Sequence, residues 1–116
     1  MGIARMFRPD ETVHTFYLRD ASVSTSGTAP FNAARPGAFG HIIDPSNGRP
    51  IRGYRTLSVA SCSAIEAEIL SIALLVTPQW ARASLLSGSS VISAVEIIYH
   101  TNATGFVPHI QWTYGI

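Results

Sequence analysis

The sequence predicts an α+β protein in which a mixed or antiparallel sheet packs against helices. Segments rich in β-branched and aromatic residues come first, helical patterns follow, and two more strand-like segments end the chain. Strands grouped before helices, rather than alternating with them, are typical of this class. A chain of 116 residues is long enough for one sizeable core without crosslinks, so we expect a single domain over residues 1–116.

Four strand segments are predicted before the helices, the first two separated by a short break at Asp20 and the others by turn-forming residues. Their composition is β-branched and aromatic: TVHTFYLR at 12–19 together with SVST at 22–25, AFGHIID at 38–44, and YRTLSVAS at 54–61. The intervening SGTAPFNAARPG at 26–37 contains two prolines and two glycines, which predicts a loop. DPSNG at 44–48 has the composition of a turn.

Two helices are predicted next. Ser63 and Glu66 have the spacing of a capping box, so a helix should span about residues 64–76. Thr77 and Pro78 suit the start of a second, shorter helix through Leu86, which Gly88 closes. Within the first helix, residues at three- and four-residue steps predict the buried stripe, namely Ile65, Ile69, Ile72, Leu75 and Val76, widened by Leu70 and Leu74.

VISAVEIIYH at 91–100 and GFVPHIQWTY at 105–114, separated by a turn-like TNAT, predict a terminal hairpin. The single cysteine, Cys62, is interpreted as a small core residue. The three histidines of the strands lack ligand-like spacing, so no zinc site is predicted; they are His14, His100 and His109. The large aromatic side chains are interpreted as core or interface anchors; they are Trp80, Tyr99, Trp112 and Tyr114.

Composition excludes two classes of function and favours a protein partner. Eight arginines and seven acidic residues give a net charge of +1 without a basic stripe, which argues against nucleic-acid binding. The apolar run near residues 69–76 is far shorter than the roughly 20 residues of a membrane span. A charged fraction of 13% and a mean hydropathy of +0.23 imply more apolar surface than one core hides, so we expect a homo-oligomer or association with a second chain.

Three segments occur in an informative order: VSTSG at 23–27, GHIIDPSNGRPI at 40–51, and SAIEAEILSIALLV at 63–76. Their order and spacing resemble the ApbE family of FAD:protein FMN transferases, whose pattern runs A-T-S-G, then H-I-I-D-P-x-T-G-x-P, then A-D-A-L-x-T on a helix. The resemblance implies an ApbE-like (T-fold-like) half-domain, the C-terminal half of the family's domain. Residues 1–116 would then form a single partial ApbE-like domain.

The resemblance also implies an activity. Members split FAD with a divalent metal, usually Mg²⁺, and attach FMN through a phosphoester to a threonine of a flavin-acceptor protein. Such phosphoryl transfer depends mainly on positioning and charge neutralisation. Members are often exported, but MGIARMFRPDE has no apolar run, so we expect any export signal to lie outside this chain.

The matched motifs imply four cofactor-binding residues, Ser26, Gly27, His41 and Asp44. His41 is also the implied catalytic residue, acting as donor or base near the transferred phosphoryl group, roles that suit imidazole near neutral pH. Structural explanations stay open for all four. Ser26 and Gly27 fit a turn at a strand end, His41 fits a satisfied strand residue, and Asp44 fits a cap on the following turn.

The helix motif departs from the family at its metal ligands. Glu68 stands where the family has aspartate, and Ile72 stands where it has threonine. Magnesium demands near-ideal octahedral geometry, and isoleucine supplies no oxygen, so Glu68 remains as the one implied metal ligand. Glu68 also fits a solvated or partner-facing charge. The alternative function is a non-catalytic flavin-binding or protein-interaction module; a fragment without its own function is a third hypothesis.

Overall fold

The computed structural model describes residues 2–5, 8–28, 43–44, 49–50, 54–102 and 105–115. Within these residues the α+β class is confirmed: antiparallel sheets are packed with two helices. In chain order the elements are β1 (Gly2–Arg5), β2 (Arg8–Thr15), β3 (Ser22–Gly27), β4 (Ile43–Asp44), β5 (Arg49–Pro50), β6 (Tyr54–Ser61), α1 (Ala64–Val76), α2 (Gln79–Leu86), β7 (Val91–Asn102) and β8 (Gly105–Tyr114).

The central sheet has four antiparallel strands in the order β3-β6-β7-β8. Side chains along a strand alternate between faces, so each face of this sheet carries its own core. On one face, Leu57, Val59 and Ala94 pack with residues of both helices. On the other face, Ala60, Val95 and Ile97 pack with Ile3 and Phe16, which belong to the N-terminal region.

The described elements therefore form three layers. Helix α1 lies over β3 and β6 on one side of the sheet. The hairpin of β1 and β2, paired antiparallel, contributes to the core on the other side. Because both faces of the central sheet are covered, its short strands contribute to two hydrophobic cores. Helix α1, with 13 residues, is the longer of the two described helices, and neither has the length and apolar character to cross a bilayer.

Several predicted boundaries agree with the structure. β6 and α1 occupy the predicted ranges, and the terminal hairpin forms as expected, with β7 extended to Asn102. Helix α2 begins at Gln79, one residue later than predicted, because Pro78 is its N-terminal cap residue with ψ of 148°. The first predicted strand ends at Thr15 rather than at residue 19, because pairing with β1 extends only to Gly2, the first residue of β1, which lies opposite Thr15.

The region between β3 and β6 is only partly described. β4 and β5 pair antiparallel, Ile43 with Pro50 and Asp44 with Arg49. The predicted turn at 45–48 lies outside the described residues. So does most of the predicted loop at 26–37, of which the structure describes the first three residues, with β3 continuing to Gly27.

The predicted buried stripe of α1 is only partly right. Leu70, Leu74 and Leu75 are buried as predicted, but Ile65, Ile69 and Ile72 are 72%, 60% and 46% exposed. Ala67 and Ser71, which were not predicted, are buried in their place. Because α1 is apolar nearly all round, its periodicity does not select a face, and the short side chains at 67 and 71 allow the closest approach to the sheet.

Cys62, expected in the core, and Trp80, expected as a core or interface anchor, both lie at the surface. Cys62 is exposed, since it comes just after the last residue of β6, in the bend before α1. Trp80 is 86% exposed at the start of α2. Tyr99 is buried, and Trp112 packs partly buried against the helix-side core, as expected of anchor residues.

Candidate functional site

Three serine hydroxyls meet where β3 passes beneath α1. The Oγ atoms of Ser26 and Ser71 are 2.7 Å apart, and those of Ser24 and Ser71 are 3.4 Å apart. Ser24 and Ser26 are two residues apart on β3, so both side chains lie on the face that α1 covers. The resemblance selected Ser26, but it did not select Ser71, which is fully buried.

Proton positions within this cluster limit what Ser26 offers a ligand. Ser71 Oγ donates to the backbone oxygen of Glu68 over 2.9 Å. A hydroxyl has one proton, so Ser71 accepts in its contact with Ser26, and Ser26 is the donor. The lone pairs of Ser26 therefore remain available for donors on a bound molecule, whereas its proton is already used.

Gly27 has a packing reason to be glycine. A Cβ atom there would lie 3.2 Å from Thr56 Cγ2 and 3.3 Å from the Arg55 backbone oxygen. The next residue, Thr28, also holds the end of β3 against β6. The Arg55 N–H donates to Thr28 Oγ1, and the Thr28 N–H donates to the Arg55 backbone oxygen, each over 2.9 Å. The close approach of β3 to β6 therefore accounts for Gly27 without a ligand.

The other two implied cofactor residues are not positioned relative to Ser26. His41 lies outside the described residues. The backbone of Asp44 belongs to β4, opposite Arg49, while its side chain is not described. Their roles stay predictions.

The metal-ligand positions of α1 do not supply a complete site. Glu68 and Ile72 are both exposed, one helical turn apart. Ile72 has no oxygen, and the buried Ser71 hydroxyl already bonds to Ser26 and to the Glu68 carbonyl. Among the described residues no three His, Cys, Asp or Glu side chains cluster. One carboxylate does not fit a divalent metal, which requires several oxygen ligands.

Glu66 makes only half of the predicted capping box. Its N–H donates to Ser63 Oγ over 3.2 Å, as expected. Its carboxylate, however, accepts from the Ser90 N–H and from Ser61 Oγ rather than returning to the Ser63 backbone. Glu66 thus joins the start of α1 to the segment that leads into β7.

The sequence interpretation missed a buried ion pair on the helix side of the sheet. Arg82 and Glu96 form two parallel hydrogen bonds of 3.0 and 2.9 Å, and both side chains are almost fully buried. Arg82 Nε also donates to the carbonyl oxygens of Leu74 and Thr77, each over 3.0 Å, and its guanidinium stacks on Trp112. In the sequence, each of the two is the single charged residue of an otherwise largely apolar segment, Arg82 in ARASLL and Glu96 in VISAVEIIY, which is the signal that could have indicated a buried pair.

Arg55 extends this ion pair toward solvent. Its Nη1 lies 3.4 Å from Glu96 Oε2, and its Nη2 donates to the Leu75 oxygen over 3.5 Å. Its side chain is 27% exposed, against 2% for Arg82. The last carbonyls of α1 therefore face two guanidinium groups, as the negative end of a helix dipole favours.

An open groove lies away from the serine cluster, between the first half of α1 and the end of α2. Its volume is about 400 Å³, and Ile65, Ile69 and Leu85 contribute its apolar walls. The exposed isoleucines that were expected in the core thus form an outward-facing surface.

The terminal hairpin brings two histidines together that lie far apart in sequence. The rings of His100 and His109 meet edge to face with centroids 4.9 Å apart. Their spacing along the chain does not predict this contact, which depends on the register between β7 and β8. Two imidazoles alone still fall short of the three or four protein ligands of a zinc site.

The sequence matches a known protein family. The sequence model of the ApbE family matches residues 1–95. The chain belongs to the ApbE family. No curated protein and no solved structure matches it.

The ApbE match includes every described element from β1 to α2 and the first residues of β7, whereas β8 lies beyond it. It also includes the first 17 residues, for which the motif resemblance was not clear. ApbE proteins are flavin-related transferases, for which FAD is a substrate and a metal a general cofactor, with a flavin-acceptor protein as partner. The serine cluster and the Glu68 helix of this chain both lie within the matched region.

Proposed function

We propose that this chain is an FAD:protein FMN transferase domain that moves FMN from FAD to a threonine of a target protein. The observation that carries the proposal is the ApbE match over residues 1–95, which contains all three motif segments in the family's order. On this proposal residues 1–116 are a single partial domain of the ApbE type. Its FAD-binding residues are Ser26, Gly27, His41 and Asp44.

The proposed reaction breaks the phosphoanhydride bond of FAD and forms one phosphoester bond to threonine. The threonine oxygen of the acceptor bonds to the phosphorus of the FMN half, the bridging P–O bond of FAD breaks, and AMP leaves with the bridging oxygen. His41 takes the threonine proton, a role that needs a base with a pKa near neutrality. Ser26 contributes by accepting a hydrogen bond from a donor on the flavin nucleotide.

The metal site of this proposal rests on Glu68. Glu68 is the proposed protein ligand, yet the described residues do not fit a complete metal site, since Ile72 lacks an oxygen and Ser71 is already bonded. The proton transfer assigned to His41 involves protein groups only. The effect of a chelator on FAD cleavage therefore measures the metal requirement.

A second candidate is a non-catalytic flavin-binding or protein-interaction module. The exposed Ile72 favours it, because an isoleucine in place of the family's threonine removes an oxygen and adds apolar surface on the outer side of α1. On this proposal the chain binds a flavin or a protein without splitting FAD.

A repair experiment separates the two candidates. The double variant Glu68→Asp, Ile72→Thr restores the family's ligand types on one helix face. With FAD, Mg²⁺ and a threonine-containing acceptor protein, we expect AMP release and an FMN-sized mass increase on the acceptor, both lost with chelator. The matched control is the double variant Glu68→Asp, Ile69→Thr. It adds the same two side chains, but the threonine follows position 68 by one residue rather than by four and therefore lies on a different face of the helix.

The unmodified chain is measured in parallel. If it flavinylates the acceptor and His41→Ala abolishes this, the transferase proposal holds for the natural sequence. If neither the natural chain nor the repaired variant splits FAD, although both bind it, the binding module is the function. Absence of FAD binding in both would contradict both flavin proposals.

A further inference from the structure

The charges at the end of α1 do not balance. Arg82 and Glu96 neutralise each other through two short hydrogen bonds. Arg55 approaches the same carboxylate at 3.4 Å, which makes two guanidinium groups for one carboxylate. The helix-end carbonyl of Leu75 offsets only part of a charge. Arg55 therefore carries positive charge that the described residues leave largely uncompensated.

Arg55 is held more loosely than its neighbour. Among the described residues its guanidinium makes hydrogen bonds of 3.4 and 3.5 Å, at the long end of the accepted range, whereas those of Arg82 are 2.9 to 3.0 Å. A guanidinium has five N–H donors, so Arg55 has unused ones. Its 27% exposure leaves them accessible to a solute.

Arg55 and the serine cluster lie along one polar seam between α1 and the sheet. On the α1 side, Ser26 contacts Ser71, and Arg55 contacts Leu75, one helical turn further on. On the sheet side, Ser26 pairs with Leu57 across β3 and β6, and Arg55 lies two residues from Leu57 on the same face. Their two contact points on α1 are four residues apart, which is about 6 Å along the helix axis.

We propose that Arg55 binds the diphosphate of the flavin nucleotide, an inference that rests on the proposed function. Phosphate oxygens only accept hydrogen bonds. The serine cluster suits them poorly because Ser26 already donates to Ser71, and Arg82 is almost fully buried, so a solute does not reach it. A planar guanidinium with free parallel N–H donors is the side chain that best matches a phosphate.

In this assignment, two parts of the ligand bind at the two ends of the polar seam. The diphosphate lies at Arg55, and the uncharged, donor-bearing part of the nucleotide lies at the lone pairs of Ser26. Riboflavin, which lacks phosphate, should then bind independently of Arg55. Inorganic pyrophosphate should depend on Arg55 alone.

The test compares three probes, FAD, riboflavin and pyrophosphate, on the full chain by calorimetric titration. For Arg55→Gln we expect at least a roughly tenfold weaker affinity for FAD and pyrophosphate, the range of a lost charge-assisted hydrogen bond, with riboflavin affinity unchanged. The matched control is Arg19→Gln, which removes an exposed arginine before β3 and should leave all three affinities unchanged. Circular dichroism melting establishes that each variant is folded.

The outcomes separate this assignment from the proposed function. Equal FAD affinity in folded Arg55→Gln and the natural chain would overturn the role of Arg55 while leaving flavin binding intact. Arg55-dependent binding of pyrophosphate without FAD binding would support the phosphate site and contradict the flavin function. Failure of the natural chain to bind any probe would contradict both. If Arg55→Gln does not fold, Arg55→Lys decides, since it keeps the charge but loses the parallel donors: weaker FAD binding supports the assignment and unchanged binding overturns it.

Discussion

At the scale of single residues, the buried pair of Arg82 and Glu96 is the interaction with the largest expected effect on stability. Arg82→Met would leave the Glu96 carboxylate buried with only the long contact to Arg55. We expect a loss of about 3 kcal/mol in the free energy of unfolding. The double variant Arg82→Met, Glu96→Leu should recover most of that loss, because it removes the unpaired charge as well.

Urea denaturation measures both variants, with the exposed Arg19→Met as the matched control. A loss below about 1 kcal/mol in Arg82→Met would mean that water or Arg55 compensates the carboxylate, contrary to the geometry described. A double variant no more stable than Arg82→Met would show that the pair holds α2 to the sheet through more than its charges.

His14 supports a prediction about pH at the same scale. Its imidazole packs edge to face on Phe16, with ring centroids 4.6 Å apart, and burial lowers its pKa from 6.5. In the unfolded chain His14 takes up its proton first as the pH falls through 6.5, so acidification favours unfolding until the folded pKa is also passed.

We therefore expect the melting temperature to fall as the pH drops below 6.5, and the slope to be smaller in His14→Gln. An NMR titration of His14 gives the folded pKa directly. A titration midpoint at or above 6.5 would contradict the expected direction.

At the scale of elements, the outer side of α1 is the feature that most needs a partner. Ile65, Ile69 and Ile72 are exposed along one side of this helix, next to the apolar groove with Leu85. A contiguous apolar surface of this kind is typical of a contact with another protein. The homo-oligomer or association with a second chain that composition suggests stays a prediction, and we expect this surface to mediate it.

We expect Ile69→Lys to weaken self-association without lowering stability, because this side chain is already 60% exposed. Size-exclusion chromatography with light scattering over a range of protein concentrations measures this. Thr113→Lys, an exposed position on β8, is the matched control. A mass that is the same for both variants and for the natural chain would show that this side of α1 does not mediate self-association.

At the scale of the whole molecule, the features that the sequence predicts well are those that depend on residues close together in the chain. The bounds of β6 and α1 are predicted correctly, because the end of a β-branched run and the capping serine Ser63 each act within a few residues. The same holds for the α+β class and the terminal hairpin. The motif order alone also indicated the ApbE family, which the match over residues 1–95 establishes.

For the candidate site, the sequence selected Ser26 and Gly27, both of which the structure places at the end of β3 beneath α1. It did not select Ser71, because one serine in a helix has no distinguishing local signal. Nor did it explain Gly27, whose crowding against Thr56 and the Arg55 backbone arises only when β3 and β6 pair.

The sequence by itself therefore determined the α+β class, the bounds of β6 and α1, the terminal hairpin and the family of the chain, but it did not predict β1 or the start of β2. The tertiary structure alone decided which side of α1 is buried, because a helix that is apolar nearly all round contains no local preference and the short side chains of β3 select Ala67 and Ser71. It also decided that Arg82 pairs with Glu96, and that Arg55 contacts both Glu96 on the sheet and the Leu75 carbonyl of α1. Such contacts depend on strand register and helix placement, which join residues that no local pattern relates.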